Sequence, residues 1–370
     1  MGKRDLVSIV TPCYNTGKYV HRLLESVLNQ TYPNIEMFVI DDGSSDNSPE
    51  IVKSYIPRFE NRGYQLTLIR QNNSGQSVAL REGMKLIKGK YFVWPDSDDF
   101  YASRSAISMM VDAFERLGEN YGLVRTQENL LEDDTFKIIG CNGKEAKAEY
   151  DKLQLFEDCL FCKNNFFFCP GAYMADFQKL KDSTSLDIYT DKNAGQNWQL
   201  MLPLLYNYKC YTIQEPLYNV VARLTSHSRG QYAGYERTLA KIASYEQTIL
   251  ETLKRIKGLP FERKKKYVAE IRRKYCRLRI WYSFQYRRRA DFERFYNEGL
   301  EFGCAGKKEK LLKVLFSVPF VVKGLLYLKH KGEYIRQYPN FIGMFKKIIV
   351  DKAINQVLVR YNINVNREER

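Results

Sequence analysis

The chain has 370 residues, which is enough for one large domain or two, and it carries a formal net charge of +15 at pH 7. The charge is unevenly distributed, because residues 254–370 carry +19 and residues 1–253 carry −4. Within the apolar stretch of the basic part, the longest uncharged run is Val314–Val322, with nine residues. A transmembrane helix needs about 20 largely apolar residues. The sequence therefore excludes a bilayer-spanning helix in this stretch.

The eight cysteines lie mostly in apolar or aromatic surroundings, which predicts buried thiols in a reducing compartment. Cys159 and Cys162 have the spacing of half a zinc site, but no second pair or nearby histidine completes it. Met1–Arg4 leads directly into the first predicted strand, so no secretory leader is expected. A cytoplasmic location follows as an expectation.

Short apolar runs alternate with helix-like stretches over the first 130 residues. The predicted strands are Leu6–Thr11, Ile35–Ile40, Gln65–Ile69, Tyr91–Trp94 and Gly122–Thr126. A helical stripe follows the first strand, and Ser48 is predicted to cap a second helix that has Pro49 in its first turn. This alternation predicts an α/β fold with a mixed, mostly parallel sheet covered by helices.

Two aspartate clusters follow the second and fourth predicted strands: Asp41-Asp42-Gly43-Ser44 and Asp96-Ser97-Asp98-Asp99. In open α/β sheets, ligands bind beyond the carboxyl ends of the strands, and carboxylates there suit a nucleotide and a hard divalent cation. The first cluster alone is also typical of an ordinary turn, and the second of a helix-capping loop. The three carboxylates of the second cluster would repel one another without a cation. This favours a site for a metal-bound nucleotide diphosphate over a helix-capping loop.

The order of four motifs resembles the nucleotide-sugar half of family-2 glycosyltransferases. The motifs are Ser8–Asn15, Val39–Asp46, Asn73-Ser74-Gly75 with Ala79, and Asp96–Asp99. The resemblance implies a GT-A fold, a nucleotide diphosphate sugar as donor, usually a UDP-sugar, Mn²⁺ or Mg²⁺ as cofactor, and inversion at the anomeric carbon. It divides the chain into a glycosyltransferase domain at 1–230 and a basic, mainly helical region at 231–370. Within the domain, 1–130 would bind the donor and 131–230 the acceptor.

By this resemblance Asp98 is the direct metal ligand, Asp96 lies toward the ribose and the metal, and Asp99 is a neighbouring ligand or holds a water. Asp42 would accept the imide hydrogen of uracil, whereas Asp41 would fix the turn. The remaining nucleotide-binding positions are Thr11, Pro12, Tyr14 and Gly75, with the ring of Tyr14 placed to stack on the base.

The acceptor side departs from the family pattern. The family usually has Glu-Asp where this chain has Gln196-Asn197, and the aspartate is the general base. An amide cannot take a proton near neutral pH, so Gln196 and Asn197 can orient an acceptor but cannot act as the base. Asp191 is the expected base, with Asp187 as the alternative, although a solvated loop position for Asp191 is equally consistent with the sequence.

A further candidate for the metal shell is His227, which follows the predicted strand Tyr218–Val221. Related enzymes often return a polar residue to the diphosphate here, and Arg229 could pair with phosphate. The alternative is a surface histidine without a ligand.

The basic tail bears on partners. Arg272–Arg289 mixes arginines with aromatic residues, and Leu311–Leu328 is an apolar stretch flanked by lysines. Both features favour peripheral binding to an anionic membrane surface, and a helical subdomain with a solvated basic face is the alternative. A nucleic-acid binder would not explain the aspartate clusters, so no nucleic acid is expected. The predicted function is transfer of a sugar to a lipid-linked or polysaccharide acceptor in cell-surface glycan synthesis, at the inner face of the membrane; the alternative is a nucleotide-sugar-binding protein that does not transfer.

Overall fold

The computed structural model describes residues 4–191, 193–222 and 234–316. The described strands are β1 (Val7–Cys13), β2 (Ile35–Asp41), β3 (Gln65–Arg70), β4 (Tyr91–Val93), β5 (Phe100–Tyr101), β6 (Tyr121–Glu132), β7 (Ile138–Asn142), β8 (Tyr173–Asp176) and β9 (Lys209–Ala222). The first seven helices are α1 (Val20–Leu28), α2 (Ser48–Arg62), α3 (Gln76–Met84), α4 (Ala106–Leu117), α5 (Lys152–Phe161), α6 (Phe177–Ser183) and α7 (Asn197–Asn207). They are followed by α8 (Tyr235–Arg255), α9 (Phe261–Gln285), α10 (Arg289–Glu301) and α11 (Lys307–Phe316).

The nine strands form one mixed sheet in the order β3-β2-β1-β4-β8-β6-β9-β5, and β7 pairs with β6 at the side. The pairings β1–β2, β1–β4, β2–β3 and β6–β9 are parallel. The pairings that β8 makes with β4 and β6 are antiparallel, as are β5–β9 and β6–β7. The longest pairings are parallel, because β1–β2 joins seven residues of each strand and β6–β9 eleven, whereas no antiparallel pairing joins more than four. The predicted mixed, mostly parallel sheet is therefore confirmed.

The parallel pairings place the functional loops at one edge. Cys13, at the end of β1, lies opposite Asp41, at the end of β2, and Ile9 lies opposite Val93, at the end of β4. The loops after β1, β2 and β4 consequently leave the sheet at its carboxyl edge, where α/β folds bind ligands.

The core forms where the apolar pattern predicts it. Val20, Leu23, Leu24 and Val27 of α1 are buried, and β1 and β2 are buried along their whole lengths. A strand buried on both faces has no polar side, which explains the continuous apolar runs in the sequence.

Two local predictions are wrong. Ser48 is the first residue of α2 and makes no N-cap, because its hydroxyl donates to Asp46 Oδ1 at 2.5 Å and accepts from the Thr16 N–H at 2.9 Å. The aromatic segment Phe166–Tyr173 predicts a buried strand followed by a turn, but the structure has the opposite order: the 3₁₀ turn Pro170–Ala172 comes first, and β8 follows it and pairs with β4.

The described residues divide into two compact units. The first contains 4–222 and 244–268, and the second contains 234–243 and 269–316. The second unit is helical, with a core built around Cys276, Ile280, Phe284 and Phe292. No helix among the described ranges is both long and apolar enough to cross a bilayer. The boundary at residue 230 stays a prediction.

Candidate functional site

Asp42 is the anchor of the loop that leads into α3. Its side chain is only 4 % exposed. Oδ1 accepts hydrogen bonds from Gln71 Nε2 and the Ser74 N–H, both at 2.8 Å, and Oδ2 accepts one from the Gly75 N–H at 2.8 Å. Gly75 has φ = +95°, a conformation that side-chain-bearing residues rarely adopt, so glycine fits this turn. The carboxylate therefore shapes the loop at the carboxyl edge of the sheet.

Asp41 makes its contacts within the turn and with the neighbouring strand β3. It is fully buried and pairs with Arg70 Nε at 2.9 Å, and its Oδ1 accepts a hydrogen bond from the Ser44 N–H. These contacts fix the Asp-Asp-Gly-Ser turn.

The loop after β1 is joined to that turn. The Asn15 N–H donates to Ser44 Oγ at 2.9 Å, and the Ser45 N–H donates to Asn15 Oδ1 at 2.8 Å. Beside this junction the Tyr14 side chain is 50 % exposed, which leaves its ring accessible to a base. Thr11 and Pro12 are buried within β1, and Thr11 Oγ1 has no hydrogen-bond partner among the described residues.

Asp96 lies where three segments of the chain meet. Its Oδ1 accepts one hydrogen bond from Gln76 Nε2 at 2.9 Å and another from Gln196 Nε2 at 3.1 Å. Gln76 is the first residue of α3, and Gln196 is the N-cap of α7. The sequence did not single out Gln76, although its place directly after the Asn-Ser-Gly motif was the available signal.

The two remaining carboxylates of the cluster differ in exposure. Asp98 is half-buried, whereas Asp99 is buried and accepts a hydrogen bond from the Val221 N–H of β9 at 2.9 Å. Burial, together with the charge of Asp96, raises the pKa of Asp99 well above its usual range. Asp99 therefore anchors the loop to the sheet, and Asp98 is the better placed of the two to reach a ligand.

A buried polar layer lies next to this anchor, and sequence reasoning missed it. Glu128 Oε1 accepts from Asn142 Nδ2 at 2.6 Å, while Glu128 Oε2 and the hydroxyls of Tyr101 and Tyr218 have no hydrogen-bond partner among the described residues. Burial raises the pKa of Glu128 and of Tyr218. A Cβ on Gly171 would lie 2.1 Å from Tyr218 Cζ, so only glycine fits there. Within this layer the rings of Tyr101 and Tyr218 pack edge to face, with their centroids 5.2 Å apart.

Asp96 and Asp98 are suited to share a divalent cation with a substrate. Among the described ranges, no group of three or more His, Cys, Asp or Glu residues could hold a metal by itself. Mg²⁺ is commonly held by one or two protein carboxylates together with substrate phosphates, and Mn²⁺ favours the same oxygen ligands. This donor set fits a cation bound together with a diphosphate. His227 and Arg229 lie outside the described residues.

Asn197 uses both ends of its amide within the protein. Its Oδ1 accepts from Trp94 Nε1 at 3.4 Å, and its Nδ2 donates to the Phe168 carbonyl at 3.3 Å. An aspartate here would turn a lone pair toward that carbonyl, so the surroundings suit an amide.

Asp191 is exposed, and its backbone lies beside the start of α3. Its carbonyl accepts from Ser77 Oγ at 3.3 Å, and its Oδ1 accepts from the Asn193 N–H at 3.0 Å. Ser77, which binds the Asp191 carbonyl, directly follows Gln76, which binds Asp96. The loop that contains Asp191 is therefore attached close to Asp96. Asp187 is also exposed, and its carbonyl accepts from Arg255 Nε at 2.8 Å.

Comparison with known proteins matches residues 8–181 to the family described as Glycosyl transferase family 2. The chain carries a family-2 glycosyltransferase domain. Glycosyltransferase GlyG of Streptococcus pneumoniae is 43 % identical over 95 residues, which are 26 % of this chain and 31 % of GlyG. The poly(ribitol-phosphate) beta-N-acetylglucosaminyltransferase TarP of Staphylococcus aureus is 27 % identical over 219 residues, or 56 % of this chain and 60 % of TarP. The chain thus spans less than two thirds of the length of each of these relatives.

The crystal structure of residues 1–349 of TarS from S. aureus, in complex with UDP-GlcNAc, superposes with a TM-score of 0.59. The superposition covers 83 % of each chain at 16 % identity. This likeness establishes the fold, and the predicted GT-A fold is confirmed.

Proposed function

We propose that this protein transfers a sugar from a nucleotide diphosphate sugar, with a UDP-sugar as the favoured donor, to a polysaccharide or lipid-linked acceptor. One observation carries the proposal. The adjacent residues Gly75 and Gln76 bind Asp42 and Asp96, so the proposed base-reading and metal-side carboxylates are linked through two consecutive residues. A nucleotide diphosphate has its base and its phosphates at opposite ends, which matches this arrangement.

Asp96 and Asp98 would hold Mn²⁺ or Mg²⁺, which stabilises the negative charge that develops on the leaving diphosphate. The protein's own contribution is positional. Asp42 fixes the loop at the base end, Tyr14 offers its ring to the base, and Asp99 ties the acidic loop to β9. These contacts would hold the donor with its anomeric carbon toward the acceptor side, where inversion follows from attack on the opposite face.

Asp191 is our candidate for the general base. The amide of Asn197 cannot take the acceptor proton, and its two protein contacts leave it as a structural member of the acceptor side. The attachment of the Asp191 loop to Ser77 supports this assignment, because it holds an exposed carboxylate close to the donor site.

The relatives support the donor and acceptor classes. TarP is named as an N-acetylglucosaminyltransferase acting on poly(ribitol-phosphate), and TarS was crystallised with UDP-GlcNAc. By analogy we favour a hexosyl or N-acetylhexosaminyl transfer to a polymeric acceptor.

Membrane association is the second part of the proposal. Arg272, Arg273 and Arg287–Arg289 on and after α9 are exposed, and basic residues near a membrane surface gain about 1 kcal/mol each from anionic lipid. An acceptor anchored in lipid would then be held close to the enzyme.

The test is a donor screen with the purified full chain. UDP-, GDP- and CDP-sugars are incubated with Mn²⁺ or with EDTA, and release of the nucleotide is measured with and without polymeric and lipid-linked acceptors. We expect Mn²⁺-dependent release from a UDP-sugar, stimulated by an acceptor. Tight UDP binding without release across the panel would favour the alternative, a nucleotide-sugar-binding protein.

A further inference from the structure

The Oδ1 atom of Asp96 is saturated by protein donors. A carboxylate oxygen has two lone-pair directions, and the amides of Gln76 and Gln196 occupy both, at 2.9 and 3.1 Å. The two amides therefore hold the Asp96 carboxylate through one oxygen and fix its orientation.

The Gln196 side chain contains a buried polar atom that lowers the stability of the fold. It is only 2 % exposed, and its Oε1 has no hydrogen-bond partner among the described residues. A buried polar atom without a partner destabilises the folded state. The Nε2 end is the only part of this amide with a described partner, and that partner is Asp96.

Gln196 is uncharged, and this affects its interaction with Asp96. A glutamate at this position would place a second carboxylate about 3 Å from Asp96, and like charges at that distance repel strongly. The amide instead donates a hydrogen bond to the carboxylate, and hydrogen bonds to charged groups are stronger than those between neutral groups.

We propose that Gln76 and Gln196 are positioning residues that hold Asp96 in the orientation that binds the nucleotide and its cation. This inference rests on the proposed function. It assigns a role to one amide, Gln76, that lies outside the recognised motifs. In this chain it also gives the Gln196 amide a partner, because its Nε2 donates to Asp96.

The test replaces the amides with methionine, which has similar length and no N–H donor. The variants are Gln76→Met and Gln196→Met, and the matched control is Gln178→Met. Gln178 is exposed on α6, and its Nε2 donates to Asp182 at 2.9 Å, outside the site. Calorimetry with UDP and Mn²⁺, calorimetry with UDP alone, and thermal unfolding are measured for each protein.

We expect each site variant to bind UDP with Mn²⁺ about tenfold more weakly, because a hydrogen bond to a charged group is lost. The control should stay within about twofold of wild type. The Tm of Gln196→Met should stay close to that of wild type, since the loss of the hydrogen bond to Asp96 and the removal of the unpartnered oxygen act in opposite directions. A structural role would instead lower the Tm and the affinity together.

Unchanged UDP affinity in both site variants, with normal binding by the wild type, would overturn the positioning role and leave the proposed function intact. Loss of affinity that accompanies a lower Tm in both variants would also overturn it. Failure of the wild type to bind any nucleotide would overturn both proposals. Gln76 is exposed, so Gln76→Met decides the question even if Gln196→Met does not fold.

Discussion

Gly75 donates its backbone N–H to Oδ2 of Asp42 across 2.8 Å, from a loop that begins after the next strand along the chain. The same carboxylate accepts the Ser74 N–H through Oδ1. The motif assigns Asp42 to recognition of the nucleotide base. The same side chain therefore also supports the loop that contains Ser74 and Gly75.

The first prediction separates these two roles. Asp42→Ala should lower the stability of the protein by about 1–3 kcal/mol, because the N–H groups of Ser74 and Gly75 lose their acceptor. It should also weaken binding of UDP more than binding of CDP, since only uracil offers an imide hydrogen. Calorimetry with both nucleotides and thermal unfolding measure the two effects. An equal loss for UDP and CDP would leave Asp42 as a loop anchor alone.

The second prediction compares two adjacent carboxylates. Asp98→Asn should weaken Mn²⁺-dependent UDP binding by about tenfold or more, because a charged metal ligand is lost. Asp99→Asn is the matched control and should change affinity little. Burial raises the pKa of Asp99, and an asparagine oxygen can still accept from the Val221 N–H. Weaker binding in Asp99→Asn together with unchanged binding in Asp98→Asn would identify Asp99 as the metal ligand.

The third prediction concerns the general base. Asp191→Asn should reduce transfer by about 10²-fold or more while UDP binding persists, since a general base acts on the acceptor proton and not on the donor. Asp187→Asn is the control and should remain active. Turnover of both variants with a confirmed donor and acceptor decides the matter, and full activity of Asp191→Asn would place the base elsewhere.

The fourth prediction uses a buried lysine in the second compact unit. Lys241 in α8 is 5 % exposed, and burial lowers its pKa to about 8 from an ordinary value near 10.5. Between these pH values the unfolded chain binds more protons at this lysine than the folded chain does. The contribution of Lys241 to the free energy of unfolding of the wild type therefore increases as the pH rises. The free energy of unfolding of Lys241→Met, relative to wild type, should therefore be highest near pH 7 and should fall by about 1–3 kcal/mol toward pH 10.

Thermal unfolding at the two pH values, with the exposed Lys266→Met as control, tests this. A gain for Lys241→Met that does not change with pH would contradict it.

The fifth prediction concerns the membrane. The full chain should float with vesicles that contain anionic lipid, and added salt should release it, because the attraction is electrostatic. Removal of residues 317–370, which carry a net charge of +6, should weaken binding. Equal flotation with neutral and anionic vesicles would reject the proposal.

The central features of the fold could be predicted because they depend on local patterns. β1, β2 and β4 are short apolar runs that end in polar clusters, and parallel strands bring such ends to one edge. The positions of the aspartate clusters follow from that rule alone.

The supporting contacts could not be predicted, because they depend on three-dimensional proximity. Gln76 and Gln196 are 120 residues apart in sequence and meet only on Asp96. Ser48 has the sequence signature of a cap, but the neighbouring loop after β1 uses its hydroxyl. No periodicity or spacing carries this information.

The packing around α8 and α9 affects how the protein can be divided. Residues 244–268 belong to the first compact unit, where the rings of Tyr245 and Trp198 lie 5.0 Å apart and those of Tyr267 and Phe156 lie 5.5 Å apart. A fragment that ends at residue 230, the predicted end of the glycosyltransferase domain, would expose Trp198 and Phe156 to water. We expect such a fragment to aggregate on expression, and an acceptable truncation point has to lie beyond residue 268.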